Sequence, residues 1–123
     1  MKAHFSISVD APRSLVIITM AGFFEADDVD RFVVARNHAH RLLTCGANQQ
    51  VSLIDIRAMD IQAQDSVAAF QKVLVDPARA SRRLAFVVPQ SLARMQIRRA
   101  ADRREAGYFL TLEEAEHWLM APA

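Results

Sequence analysis

The chain has 123 residues, a length that fits one compact domain over residues 1–123 and leaves no room for a second core. Apolar residues make up 52% and charged residues 24%, which excludes the low-hydrophobicity, high-charge signature of disorder. A net charge of +1 gives no global field to recruit a polyanion, and the single cysteine, Cys45, excludes an internal disulfide. A lone thiol suits a reducing compartment, so a cytoplasmic location is expected.

Phe5, Ile7 and Val9 alternate with Ser6, Ser8 and Asp10, a period of two that predicts a half-buried strand. After the turn at Asp10–Ser14, the β-branched run Leu15–Met20 predicts a strand covered on both faces. Acids at Glu25, Asp27 and Asp28 open a helix, with Asp27 as the expected N-cap, running to about Leu43. Its apolar face carries Val29, Phe32, Ala35, Ala39, Leu42 and Leu43, and Gly46 follows as a stop. Val51–Ile56 is a third strand, followed by a helix from about Gln62 to Val75 with Ala63, Val67, Phe70 and Leu74 on its inward face. Asp76-Pro77 ends that helix.

Leu84–Val88 forms a fourth strand, Ser91 caps a helix to about Arg104, and Gly107–Leu110 forms a fifth strand. Thr111 and Glu114 make a capping box for a terminal helix bearing Ala115, Trp118 and Leu119. The order ββαβαβαβα predicts an α/β fold: a mixed five-stranded sheet, parallel over most of its width, with helices packed on it.

Phosphate-cradling loops need closely spaced glycines, and Gly22, Gly46 and Gly107 supply none, so no nucleotide cofactor is expected. His4, His38, His40, His117 and Cys45 have no paired metal-ligand spacing, so no metal is expected either. Asp55 and Asp60 bracket the end of the third strand, where α/β proteins place working residues, but read more simply as a strand end and a helix cap. No acid, base and oxyanion set assembles from spacing, and the chain is expected not to be an enzyme.

Arg36 and His40, four apart at the border of an apolar helix face, have two readings. Either they line a small pocket between helix and sheet for an anionic ligand, or their stems cover the core edge while their heads reach water. Between Arg79 and Arg104, eight arginines face a single acid, Asp102. Within the predicted third helix, Arg94, Arg98 and Arg99 with Met95 make a candidate surface for an acidic protein partner or peripheral membrane contact. The arginines form no single stripe and no aromatic residue is interleaved, so nucleic acid is not an expected partner. An exposed sheet edge makes a homodimer an expected arrangement.

Asp65 and Ser66 form a candidate phospho-acceptor region. If Asp65 caps the second helix, Ser66 stands in its first turn, where free N–H groups and the helix dipole would hold a phosphate. If Asp60 is the cap, Ser66 lies one turn in and is buried.

The element order, with the ending Tyr108-Phe109-Leu110-Thr111-Leu112-Glu113-Glu114-Ala115-Glu116-His117-Trp118-Leu119, resembles the SpoIIAA-like branch of the STAS-type domains. The resemblance implies a regulatory or protein-interaction module. In relatives that antagonise anti-sigma factors, a serine in an Asp-Ser-Ser-Gly-like turn is phosphorylated; Gln64-Asp65-Ser66-Val67-Ala68 stands in the comparable region without the second hydroxyl or the glycine. The branch is also likened to a lipid-carrier fold, which implies an alternative role as carrier or sensor of a small apolar or amphiphilic ligand.

Overall fold

A β-branched run covered on both faces can satisfy its backbone only by pairing on both sides. In the computed structural model this run is β2 (Leu15–Gly22), antiparallel to β1 (His4–Asp10) and parallel to β3 (Val51–Met59). β4 (Arg83–Val87) and β5 (Ala106–Phe109) continue in parallel, giving a mixed five-stranded sheet of order β1-β2-β3-β4-β5. The structure describes residues 2–90 and 106–122. The helix expected from Ser91 to about Arg104, with Arg94, Met95, Arg98 and Arg99, lies outside the described residues.

The steps from β2 to β3 and from β3 to β4 run the same way across the sheet, and crossovers of one hand then place their helices on one face. The connecting helices, α1 (Ala26–His40) and α2 (Gln64–Val75), pack against each other. Val29 and Phe32 of α1 are buried with Val16, Ile18, Met20, Ile54, Leu84 and Phe86 of the sheet. The terminal helix α3 (Leu112–Met120) covers the opposite face, burying Ala115 and Leu119 with Leu15, Val51, Leu53, Ala85 and Val87.

Four phenylalanines join the α1/α2 layer edge to face, which suits the ring quadrupole. Phe5 meets Phe32 at 5.6 Å, Phe32 meets Phe70 at 5.9 Å and Phe70 meets Phe24 at 5.5 Å, so one aromatic line crosses β1, α1, α2 and the residue pair after β2. Across the sheet, Phe109 packs on Trp118 at 5.6 Å, and the Arg83 guanidinium lies 5.3 Å from the Trp118 ring centre. Arg83 also donates to the carbonyls of Trp118 and Ala121 at the end of α3, where a helix leaves acceptors unpaired. A Cβ on Gly107 would stand 2.7 Å from the Phe109 ring, so only glycine lets that ring lie against its own strand.

Several boundaries and faces differ from the sequence pattern. The N-cap of α1 is Glu25 instead of Asp27, because Asp28 reaches back to the Glu25 N–H at 2.9 Å and completes a capping box two residues early. The helix ends at His40, which leaves Leu42 outside it and 61% exposed. On α2 the inward face is Ser66, Phe70, Val73 and Leu74; Val67 points outward at 42% exposure. The cap of α3 is as expected: Thr111 accepts from the Glu114 N–H at 3.2 Å.

Candidate functional site

Two places hold chemistry-bearing side chains, one at each end of the parallel strands. At the carboxyl end of β3, Asp55 projects on the α3 face beside Arg57. One carboxylate oxygen accepts from Arg57 N–H at 3.1 Å and Nε at 3.0 Å, and the other accepts from Nη2 at 2.9 Å. Partial burial pushes the Asp55 carboxyl up, but the Arg57 hydrogen bonds outweigh it and hold the group below the usual carboxylate range. With its acceptors engaged, Asp55 is a fixed anion near neutral pH and not a proton carrier.

Asp60 does not cap α2; the N-cap position is Ala63, and no side chain closes it. The loop is held instead by Gln62, whose amide imitates a strand backbone. Its Oε1 accepts from Phe24 N–H at 2.8 Å, while Nε2 donates to Gly22 O at 2.9 Å and to Asp60 O. Gly22, at φ 83°, supplies the left-handed turn that brings Phe23 and Phe24 across to meet it. Next to this joint, Ser66 lies in the first turn of α2 yet is 6% exposed, and its Oγ donates to Phe24 O at 2.7 Å. Each sequence reading of Ser66 thus captured one half: first turn, and buried. Adding phosphate to that oxygen requires the start of α2 to part from Phe24. Asp65 is exposed in the same turn.

At the amino end of β3 and β4 a small space, about 40 Å³, opens between α1, α2 and the sheet. Arg36 and His40 of α1 line it together with Arg79, Ser52 and Ser81. Arg36 is 7% exposed, so most of its side chain is withdrawn from water. Its Nε donates to Asn37 Oδ1 at 2.9 Å, and Nη1 stands 3.5 Å from Val73 O, a long contact. Burial, then the neighbouring Arg79 charge, lowers the Arg36 pKa, with Asp76 acting in the opposite direction.

The segment carrying Arg79 and Ser81 is pinned by side-chain amides. Asn48, at φ 63°, donates to Pro77 O at 3.0 Å and Ala80 O at 2.8 Å. The buried Gln50 donates from Nε2 to Arg79 O at 3.0 Å and accepts from Arg82 N–H on its backbone carbonyl. Ser52 and Ser81 share a hydrogen bond of 2.7 Å between their hydroxyls. The spacing of Arg36 and His40 was the visible signal for this cluster; Ser52, Ser81 and Arg79 join them from sequence segments that carry no matching pattern.

His40 is pushed down to about 4, first by burial and then by the charges of Arg36 and Arg79. The folded chain therefore holds it neutral, whereas the unfolded chain takes up a proton below about pH 6.5. Its contribution to stability is complete above that pH and is lost as pH falls from about 6.5 towards about 4. Because the ring is only half buried, screening reduces the expected loss to about 1–2 kcal/mol. Urea denaturation of wild type and His40→Gln at pH 7 and pH 4.5 checks this: the variant should lose that part of the pH dependence, and equal slopes would refute it. Asp55 does not interfere, since its lowered pKa confines its effect to more acid conditions.

A larger groove, about 770 Å³, runs between β1 and α1. Phe5, Ile7, Ala35 and Ala39 line it with the exposed Val34 and Leu42, which are 69% and 61% open. Asp30, Arg31 and His38 add polar groups. Among the described residues, β1 has no neighbour on its outer side.

No family model and no curated protein sequence matches the chain. Among solved structures, it is similar to an uncharacterized protein of the DUF3478 family from Shewanella loihica PV-4, described as having a SpoIIAA-like fold. The two share 17% sequence identity over 97% of this chain and 96% of the other, with a TM-score of 0.78. The fold of this chain is therefore SpoIIAA-like. No helix among the described residues is long and apolar enough to cross a membrane.

Proposed function

We propose that this SpoIIAA-like chain is a non-enzymatic binding module that captures an extended segment of a partner protein in the groove between β1 and α1. The observation that supports this reading is the juxtaposition of a strand edge that is unpaired among the described residues with an apolar trough. β1 is seven residues long, lacks proline and lies beside Val34 and Leu42, two large apolar side chains that gain nothing from water. A strand added to β1 gains main-chain hydrogen bonds while alternate side chains enter the trough.

The double variant Val34→Asp, Leu42→Asp tests it. Both residues are exposed, so stability should move by no more than about 0.5 kcal/mol each. Affinity for a partner bound specifically by wild type should fall at least about tenfold. Unchanged affinity with an intact fold removes the groove from consideration. Edge pairing between two copies would appear instead as a concentration-dependent dimer in analytical ultracentrifugation, abolished by the same variant.

The groove volume also lies in the range of small-molecule sites, which favours a second reading: carriage of an apolar or amphiphilic ligand. Native mass spectrometry separates the two readings. Retained extra mass that the double variant loses marks a carrier, and a bare chain mass leaves the protein partner. The surface of Arg94, Met95, Arg98 and Arg99 lies outside the described residues.

A further inference from the structure

Burying a guanidinium without a carboxylate costs free energy that only a compensating anion or full hydrogen bonding restores. Arg36 has neither among the described residues. Its Nε is engaged by Asn37 and its Nη1 makes only the long contact to Val73, while Nη2 bonds no group among these residues and is left to solvent or a ligand. The other polar side chains lining the same space are donors or become so, beside an apolar wall that includes Phe32, Ile54 and Leu84. Arg79 brings a second permanent positive charge, and His40 brings a ring N–H. Of the two paired serine hydroxyls, the one that accepts keeps its own proton free to donate elsewhere. Among the described residues the carboxylate that acts on Arg36 is Asp76, and it already accepts from Ala78 N–H at 3.0 Å.

We propose that the space between α1, α2 and the amino ends of β3 and β4 is a binding site for an oxyanion of the phosphate class. It accepts either the free ion or the phosphate head of a larger molecule. Arg36 and Arg79 neutralise the charge, and His40 with Ser52 or Ser81 completes the donor set. The room available suits one such group and excludes a whole nucleotide from the interior. Asn48 and Gln50 hold the Arg79–Ser81 segment in place through its backbone carbonyls. The site shares no charged residue with the groove, and its test uses phosphate alone with no groove ligand present, so it can fail or succeed separately from the function proposed above.

The chemistry also predicts a proton linkage. An anion beside His40 favours the imidazolium, so binding takes up a proton and strengthens as pH falls through the raised bound-state midpoint towards the free-state value of about 4. Titration calorimetry of the full chain with inorganic phosphate should show saturable one-to-one binding. NMR titration of the His40 ring should show its midpoint rise by about one pH unit or more in saturating phosphate. Arg79→Gln, at a part-exposed loop position that spares the fold, should weaken binding about tenfold, and Arg36→Met should abolish it.

Glycerol phosphate distinguishes the source of the ligand. Affinity above that of inorganic phosphate marks capture of a headgroup, and equal or lower affinity marks the free ion. No saturable binding at about 10 mM phosphate, with an unmoved His40 midpoint, overturns the proposal. Arg36 would then serve only the carbonyl end of α2. Binding that survives both Arg36→Met and Arg79→Gln places the ion elsewhere and also overturns it.

Discussion

Replacing Phe24 with alanine is expected to destabilise the chain by about 3–5 kcal/mol, the range for emptying a fully buried aromatic site. Phe24 is 0% exposed, and its ring is the terminal member of the aromatic line that continues through Phe70, Phe32 and Phe5. Its backbone is equally committed, with the N–H given to Gln62 and the carbonyl taken by Ser66. The site therefore cannot collapse inward: the main chain is held from two sides while the ring is removed, which favours the upper part of that range. A loss of this size is a large share of the about 5–15 kcal/mol that stabilises an ordinary domain. Chemical denaturation at pH 7 reads it directly. A change below about 1 kcal/mol would show that α2 closes over the gap and that the joint after β2 is not a fixed point.

Arg36→Met is expected to act in the opposite direction, raising stability by about 1–3 kcal/mol in phosphate-free buffer. Methionine keeps most of the aliphatic stem, and it removes a largely buried charge that only the more distant Asp76 answers. The long contact to Val73 is the principal loss, at 3.5 Å a weak one. Removing the charge should also let His40 titrate closer to its ordinary range, since Arg36 is one of the two cations holding it down. Thermal melts of wild type and variant, with and without phosphate, check both parts. Wild type should gain stability from phosphate and the variant should not. A variant less stable than wild type in phosphate-free buffer would show that the Asn37 and Val73 bonds repay the burial.

The strands were legible because their physics is local. Phe5, Ile7 and Val9 alternate as a half-covered strand must, and the run from Leu15 to Ile18 is apolar on both faces because helices cover both there. The Thr111 cap was equally readable, since its partner lies three residues away. Glu25 was harder: among Glu25, Asp27 and Asp28 any could cap, and the choice depends on which carboxylate reaches back. Val67 faces outward, against expectation, and Ser66 inward, because α2 meets Phe24, a contact 42 residues away that no periodicity encodes.

The candidate sites follow the same division. Four-residue spacing brought Arg36 and His40 to attention, but whether a basic head is buried depends on α2 and on the segment from Arg79 to Ser81. Gln62 escaped notice because an amide that replaces backbone pairing leaves no trace in composition or period. The groove beside β1 depends on α1 ending at His40, which sets Leu42 free of the core.

Helix α1 walls both spaces: Ala35 and Ala39 face the groove, while Phe32, Arg36 and His40 face the basic pocket. A body shared in this way turns two separate equilibria into one. If seating a segment beside β1 rolls or slides α1, the grip on an anion changes by some factor. Thermodynamic reciprocity then requires the anion to change the grip on the segment by that same factor. Within a close-packed layer the helix has no slack with which to absorb a shift on one side alone. The edge-to-face contact of Phe5 with Phe32 joins a residue of the groove to a residue of the pocket, so the ring pair is where such a movement would be transmitted.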